Sequence, residues 1–161
     1  MKLRRQFCTT LLMLAALALA GCSRDEPTGL ISSAKSYLAK HEYDAGIIQL
    51  KSALQKAPDD AEARMLYGKA LLDTGRPAAA ETEIRKAIDL KYPPDEAVPL
   101  LARAMIDQGA YAKAVAELAD RKLGDAKAQA GLQTEMATAY LALGEVPKAN
   151  DPDRKTRLLW R

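Results

Sequence analysis

Two cysteines, one histidine, one tryptophan and one phenylalanine in 161 residues leave little from which to build an active site. Nucleophile–base pairs and transition-metal clusters draw on His and Cys. The single histidine, His41, stands beside Glu42 at the expected turn between two helical stretches, where an exposed, solvated role is expected. Both cysteines, Cys8 and Cys22, fall near the N-terminus, so the chain beyond them has no thiol for a disulfide or a zinc site. No glycine-rich phosphate loop occurs and no alternating strand pattern competes with helix. These absences argue against an enzyme and against any cofactor or metal.

Periodicity is abundant. Lys35 to Leu54 and Lys69 to Ile88 repeat one pattern at a spacing of 34 residues: Ala34 returns as Gly68, Gly46 as Ala80, Leu50 as Ile84, Ala53 as Ala87 and Leu54 as Ile88. The third copy keeps the spacing, with Ala102, Ile106, Gly109, Ala114 and Leu118 at the places of Gly68, Leu72, Gly75, Ala80 and Ile84, and fails where Ala87 becomes Arg121. A fourth start, Ala137, Tyr140, Leu141, Gly144 and Ala149, follows one residue out of step, the extra residue falling in a loop near Gly124 and Asp125. Close approach of two helices requires Ala or Gly at the crossing, with larger residues one turn away. That spacing and pattern predict an all-α fold, a right-handed tetratricopeptide-repeat (TPR) solenoid of about three and a half helix-turn-helix units. The expected repeats span 27–60, 61–94, 95–124 and a partial 126–149.

Turn chemistry agrees. Gly75 before Arg76-Pro77, and Gly144 before Val146-Pro147, place a glycine stop ahead of a proline that opens the next helix. Pro58 is expected to end the first repeat, Pro93-Pro94 the second, and Pro99 to sit in the first turn of its helix. Asp59-Asp60 falls at a repeat junction, where a carboxylate caps a helix.

Residues 1–21 carry a basic start of Lys2, Arg4 and Arg5, an apolar stretch of 14 residues from Phe7 to Ala20, and then Gly21-Cys22. This is the pattern of a secretory signal, and the stretch is short for a spanning helix, which needs about 20 residues. Leu19-Ala20-Gly21-Cys22 resembles the bacterial lipobox, which implies acylation of Cys22, cleavage before it, and a membrane anchor in one leaflet followed by a short tether over 22–26. Ser23, where Asp would imply retention at the inner membrane, favours a periplasm-facing outer-membrane location. Loss of the three basic residues leaves 21 of each charge sign in the remainder. A neutral protein gives no reason to expect nucleic acid as a partner.

In this fold the first helix of each repeat lines the concave groove. One column along it reads Lys35, Lys69, Arg103 and then Thr138; such cations suit an acidic peptide, a carboxylate terminus or an anionic polysaccharide. The alternative is ordinary surface ion pairing, with Asp73 four residues after Lys69 and Asp107 four after Arg103. A second set, Ile31, Met65 and Pro99 with Leu38, Leu72, Ile106 and Leu141, is expected either to floor the groove for a peptide or to pack repeats together.

Leu19 to Asp25, Ala34 to Lys40, Ile47 to Lys56, Gly68 to Gly75 and Tyr92 to Ala104 together resemble the N-terminal part of the PrsT family, the TPR lipoproteins of PEP-CTERM/exosortase systems. That resemblance covers residues 1 to about 149. It implies a scaffold or adaptor at the Gram-negative envelope, in exopolysaccharide production and protein sorting, with Cys22 as the one transferable functional residue. A TPR assembly lipoprotein for pili or outer-membrane proteins, and a polysaccharide-contacting accessory protein, are the alternatives. Asn150 to Arg161 do not continue the repeat, and Pro152 interrupts the helix expected from Pro147. The sequence therefore reads as a shortened array with an exposed apolar end, at Tyr140, Leu141, Leu158, Leu159 and Trp160, and a tendency to self-associate.

Overall fold

The computed structural model describes residues 26–145. Within them lie seven α-helices and no strands: α1 Pro27–Ala39, α2 Tyr43–Lys56, α3 Ala61–Asp73, α4 Pro77–Asp89, α5 Pro94–Asp107, α6 Tyr111–Leu118 and α7 Ala126–Ala142. The signal segment, Cys22 and the tail residues Leu158, Leu159 and Trp160 lie outside the described residues. The described residues fall into two compact units, divided between Pro58 and Asp59.

The first unit is the α1–α2 hairpin. Its small residues do what the period requires of them: Ala34 and Ala53 are wholly buried, and Gly46 lies so near α1 that a Cβ there would come within 2.8 Å of Leu38 Cδ2. Leu50, also fully buried, fills the flank one turn on. Burial of each such side chain is worth about 1.5–3 kcal/mol.

The second unit stacks α3 to α7. Gly68 of α3 crosses α4 under Ala80 and Ile84, and the equivalent pair in the next hairpin, Ala102 and Ala114, is fully buried. Ile84, Met105, Leu118, Leu132, Val98 and Val115 form its interior, and no polar side chain is buried among the described residues. Helix starts follow local chemistry: Asp60 accepts the N–H of Ala63 at 2.8 Å and Asp125 that of Ala128 at 2.7 Å.

Three departures from the sequence reading have physical causes. Pro94 opens α5, which puts Pro99 in the second turn rather than the first; the ring costs a helix bond to Asp95 but stacks toward α7, where its Cβ is 3.7 Å from the place a Cβ on Gly131 would take. Helix α6 ends at Leu118, against Asp89 for α4, because Arg121 and Lys122 stand where buried Ala87 and half-buried Ile88 would continue it. Tyr140, expected on the exposed end, is 5% exposed. It takes the place of Met105, on the face that packs against the preceding repeat, so among the described residues Leu141 and Leu143 are the large apolar side chains of this end that face solvent.

The loop 119–125 that replaces the missing turns of α6 is tied down. The Asp95 carboxylate accepts the N–H of Gly124 at 2.9 Å and of Asp125 at 3.2 Å, and Gln129 Oε1 accepts that of Leu123 at 2.8 Å. An open cleft of about 430 Å³ lies between this loop and Gln129 and Gln133 of α7.

Candidate binding surface

Lys35 is exposed on α1 in the first unit; Lys69 and Arg103 belong to α3 and α5 of the second. In the second unit Arg103 is held on both sides, 3.5 Å from Asp73 of the preceding repeat and 3.7 Å from Asp107 of its own helix. The Asp73 carboxylate thus goes to Arg103 and not to Lys69. The i,i+4 expectation fails at Lys69 because a cation on the neighbouring helix offers Asp73 a partner across the repeat interface. Lys69 is exposed and makes no ion pair among the described residues.

A further carboxylate joins this face. Burial pushes the Glu135 carboxyl above the usual range, the Asp107 charge adds to the rise, and Arg103 opposes it. Glu135 lies one helix over, on α7, where Leu66 of α3 and Leu100 of α5 hold the matching positions. The face therefore presents two cations and three carboxylates, which differs from the purely cationic column read from every thirty-fourth residue.

The apolar set is largely interior, Leu141 at 69% being its exposed member. Met65 and Leu72 are 4% exposed and Ile106 8%, so they offer a ligand almost no surface. Leu38 is half-buried in the first unit, its Cδ2 against Gly46, and Ile31 is buried. Packing, the second of the two readings, accounts for these interior members.

A polar network escaped the sequence reading. The Arg85 guanidinium donates to both Glu117 oxygens, at 2.6 and 2.8 Å, and to Glu81 at 2.9 Å. Glu81 also receives Lys113 at 3.0 Å and Gln108 at 2.8 Å. Arg85 holds the Glu117 carboxyl below its ordinary range; for Glu81 burial pushes upward, but the bonds from Lys113, Gln108 and Arg85 outweigh it. Glu117 in turn raises the Arg85 pKa against the pull of burial. Glu83 behaves like Glu81, its burial outweighed by Lys86 and by Arg64 at 2.6 Å. One signal was in the sequence: Arg85–Glu117 and Glu81–Lys113 are both 32 residues apart. These cations join second helices of successive repeats and are committed to that task.

Two residues outside the network, Arg121 and Lys122, border the cleft beside loop 119–125 and make no ion pair among the described residues. His41 is exposed, as expected, with Nδ1 3.0 Å from Tyr43 Oη. Among the described residues no three His, Cys, Asp or Glu side chains cluster as metal ligands, and no helix is long and apolar enough to cross a membrane.

The TPR reading has independent support. A family model described as the tetratricopeptide repeat matches residues 32–96. Comparison with curated proteins gives no match. Among solved structures the chain is similar to the Sgt2 TPR domain from Aspergillus fumigatus, at 22% identity and a TM-score of 0.61, over 79% of this chain and 88% of that one. Antiparallel helix pairs at a 34-residue period, small residues at their crossings and these two likenesses together make this an all-α protein of the tetratricopeptide-repeat fold.

Proposed function

We propose that the protein is a non-catalytic scaffold that holds protein or peptide partners on the first-helix face of its repeats. The observation that carries this is the row Lys69, Asp73, Arg103, Asp107 and Glu135: Arg103 is fixed between two carboxylates, and Lys69 is left exposed without an ion pair among the described residues. Charged groups held on packed helices are preorganised, so a partner loses little freedom in meeting them. Alternating signs suit a peptide that carries both charges better than a uniform polyanion, which three carboxylates repel. A directly polysaccharide-contacting role is therefore the weaker version of this proposal.

The proposal extends to place and process through residues 1–25. The lipobox-like Leu19-Ala20-Gly21-Cys22 supports lipid attachment at Cys22 and a periplasm-facing outer-membrane location. The phrases shared with the PrsT family support a role beside exopolysaccharide production and exosortase-type sorting; an assembly role for pili or outer-membrane proteins is the second reading.

Two experiments separate these layers. In the first, Lys69→Glu with Arg103→Glu is compared with the parent for capture of envelope proteins, and unchanged capture removes the surface from consideration. In the second, labelling with palmitate and blockage of processing by globomycin report on Cys22. Absence of both effects removes the anchor and leaves the scaffold untouched.

A further inference from the structure

At the junction of α4 with α5, apolar side chains close the packing. Ala87 of α4 and Val98 of α5 are 0% and 1% exposed, and half-buried Ile88 packs against the same core. One repeat further on, that closure is missing. Helix α6 stops at Leu118, and Arg121 and Lys122, both exposed, hold the places of Ala87 and Ile88. The facing wall has changed with it: given the one-residue shift of α7, exposed Gln133 stands at the place of buried Val98, and Gln129 at that of Pro94. The cleft of about 430 Å³ lies between these two walls.

The change of both walls from apolar to polar decides what the cleft suits. It is lined chiefly by hydrogen-bond donors. Arg121 and Lys122 make no ion pair among the described residues, and Asp120 is the one carboxylate at the cleft, so positive charge is in excess. Gln129 Oε1 is already committed to the N–H of Leu123 at 2.8 Å, which leaves the amide NH₂ group of that side chain to donate. Gln133 lies one turn further along the same side of α7. The loop that carries the cations is fastened: the N–H of Arg121 donates to the Leu118 carbonyl at 3.1 Å, and the Asp95 carboxylate accepts those of Gly124 and Asp125. A ligand that meets such fixed donors loses little in ordering them.

We propose that this cleft is a binding site for a carboxylate-bearing segment of a protein partner, separate from the row on the first helices. Arg121 and Lys122 take the carboxylate, the guanidinium through two parallel bonds, and the amides of Gln129 and Gln133 donate to the carbonyls of the same segment. Ala119 and half-buried Leu123 give the aliphatic part of the lining. The volume falls within the range of ligand-sized clefts, about 300–1,000 Å³. No aromatic ring lines the cleft for a sugar to stack on, which favours a peptide over an acidic polysaccharide.

Fluorescence anisotropy of the full chain with a labelled Gly-Ser-Asp-Glu-Asp-Gly-Ser peptide, at low and at physiological ionic strength, tests this. Saturable binding is expected, and its amide counterpart with Asn-Gln-Asn at the centre should not bind. Arg121→Glu with Lys122→Glu is expected to weaken binding about tenfold or more. Lys51→Glu with Lys56→Glu makes the same change of charge on exposed α2 positions of the first unit and should leave binding as it was. Gln133→Val, which restores the residue of the preceding repeat without touching a charge, is expected to weaken binding about threefold and serves where the reversal disturbs the loop. Equal weakening by the two charge reversals, or equal binding of the acidic and amide peptides, would overturn the proposal. Polygalacturonate held through Arg121 and Lys122, with no binding of the acidic peptide, would overturn it too and assign the cleft to a polysaccharide.

Discussion

Ile84 Cγ1 lies 2.6 Å from the point that a Cβ on Gly68 would occupy, with the Ala80 carbonyl 3.3 Å from the same point. At Gly46 the near neighbour is instead the end of the half-buried Leu38 side chain, at 2.8 Å. The two glycines, one on the second helix of its crossing and one on the first, thus differ in what can yield. Gly68→Ala must move a fully buried isoleucine against backbone and is expected to lose about 1–2 kcal/mol after the helix-propensity gain. Gly46→Ala displaces a mobile leucine tip and should fall between neutral and about 1 kcal/mol more stable. Urea midpoints of the two variants decide it; similar losses at both sites would refute the distinction.

His41, at the helix end where the other repeats use glycine, and Lys91, just past α4, hold left-handed conformations, φ 61° and 69°. Such a residue costs about 1 kcal/mol, partly offset by the entropy glycine adds to the unfolded chain. Lys91→Gly is expected to raise stability by about 0.5 kcal/mol. His41→Gly should gain less, because it gives up the bond to Tyr43 Oη and the edge contact of the two rings. Thermal unfolding of both, with Lys91→Ala as a control that keeps the strain, checks the order.

Much of this was legible beforehand, and the boundary of legibility has a cause. Gly68, Ala80, Ala102 and Ala114 were readable because a crossing tolerates only small residues, and the period shows them. Asp60 was readable as a cap because capping is local. The partner of Asp73 was not, since spacing along one helix says nothing of a cation on the next. Tyr140 was misread for a related reason: the period gives its place in the fourth start, but which of two faces that place occupies depends on a neighbour the sequence does not draw. Arg85 was missed altogether, as its carboxylates lie on a different helix turn and 32 residues away. Neither the lipid site nor the tail falls within the described residues.

Glu135 and Glu117 should answer pH in opposite ways. The folded pKa of Glu135 is raised by burial and Asp107, so its contribution favours folding in acid and is lost as pH rises through that pKa. Glu135→Gln is therefore expected to stabilise at pH 7 and to make little difference well below the ordinary carboxyl value of 4.5. Glu117 is lowered by Arg85, so its contribution is present above the unfolded value and fades as pH falls through the folded one. Glu117→Gln should destabilise at pH 7 and become silent in acid. Urea midpoints across the acid range give both curves, and parallel curves would contradict the assignment.

Asp95 bridges the start of α5 and the start of α7 through two N–H groups. Asp95→Ala leaves both donors without their acceptor and is expected to cost about 1–2 kcal/mol. Amide exchange at Gly124 and Asp125 should accelerate, while the core amide of Met105 keeps its protection up to the lower global limit. Unchanged exchange at 124 and 125 would show that the bridge does not hold the loop.

That same bridge has a kinetic side. Asp95 and Gly124 are 29 residues apart, less than one period, so fastening α7 to α5 closes a loop that neighbouring repeats have already shortened. Contacts this local cost little chain entropy before they reward it, and arrays built from them fold quickly and from more than one starting place. Refolding of the second unit should accordingly outpace that of a sheet protein of similar size, with α7 joining late and leaving first.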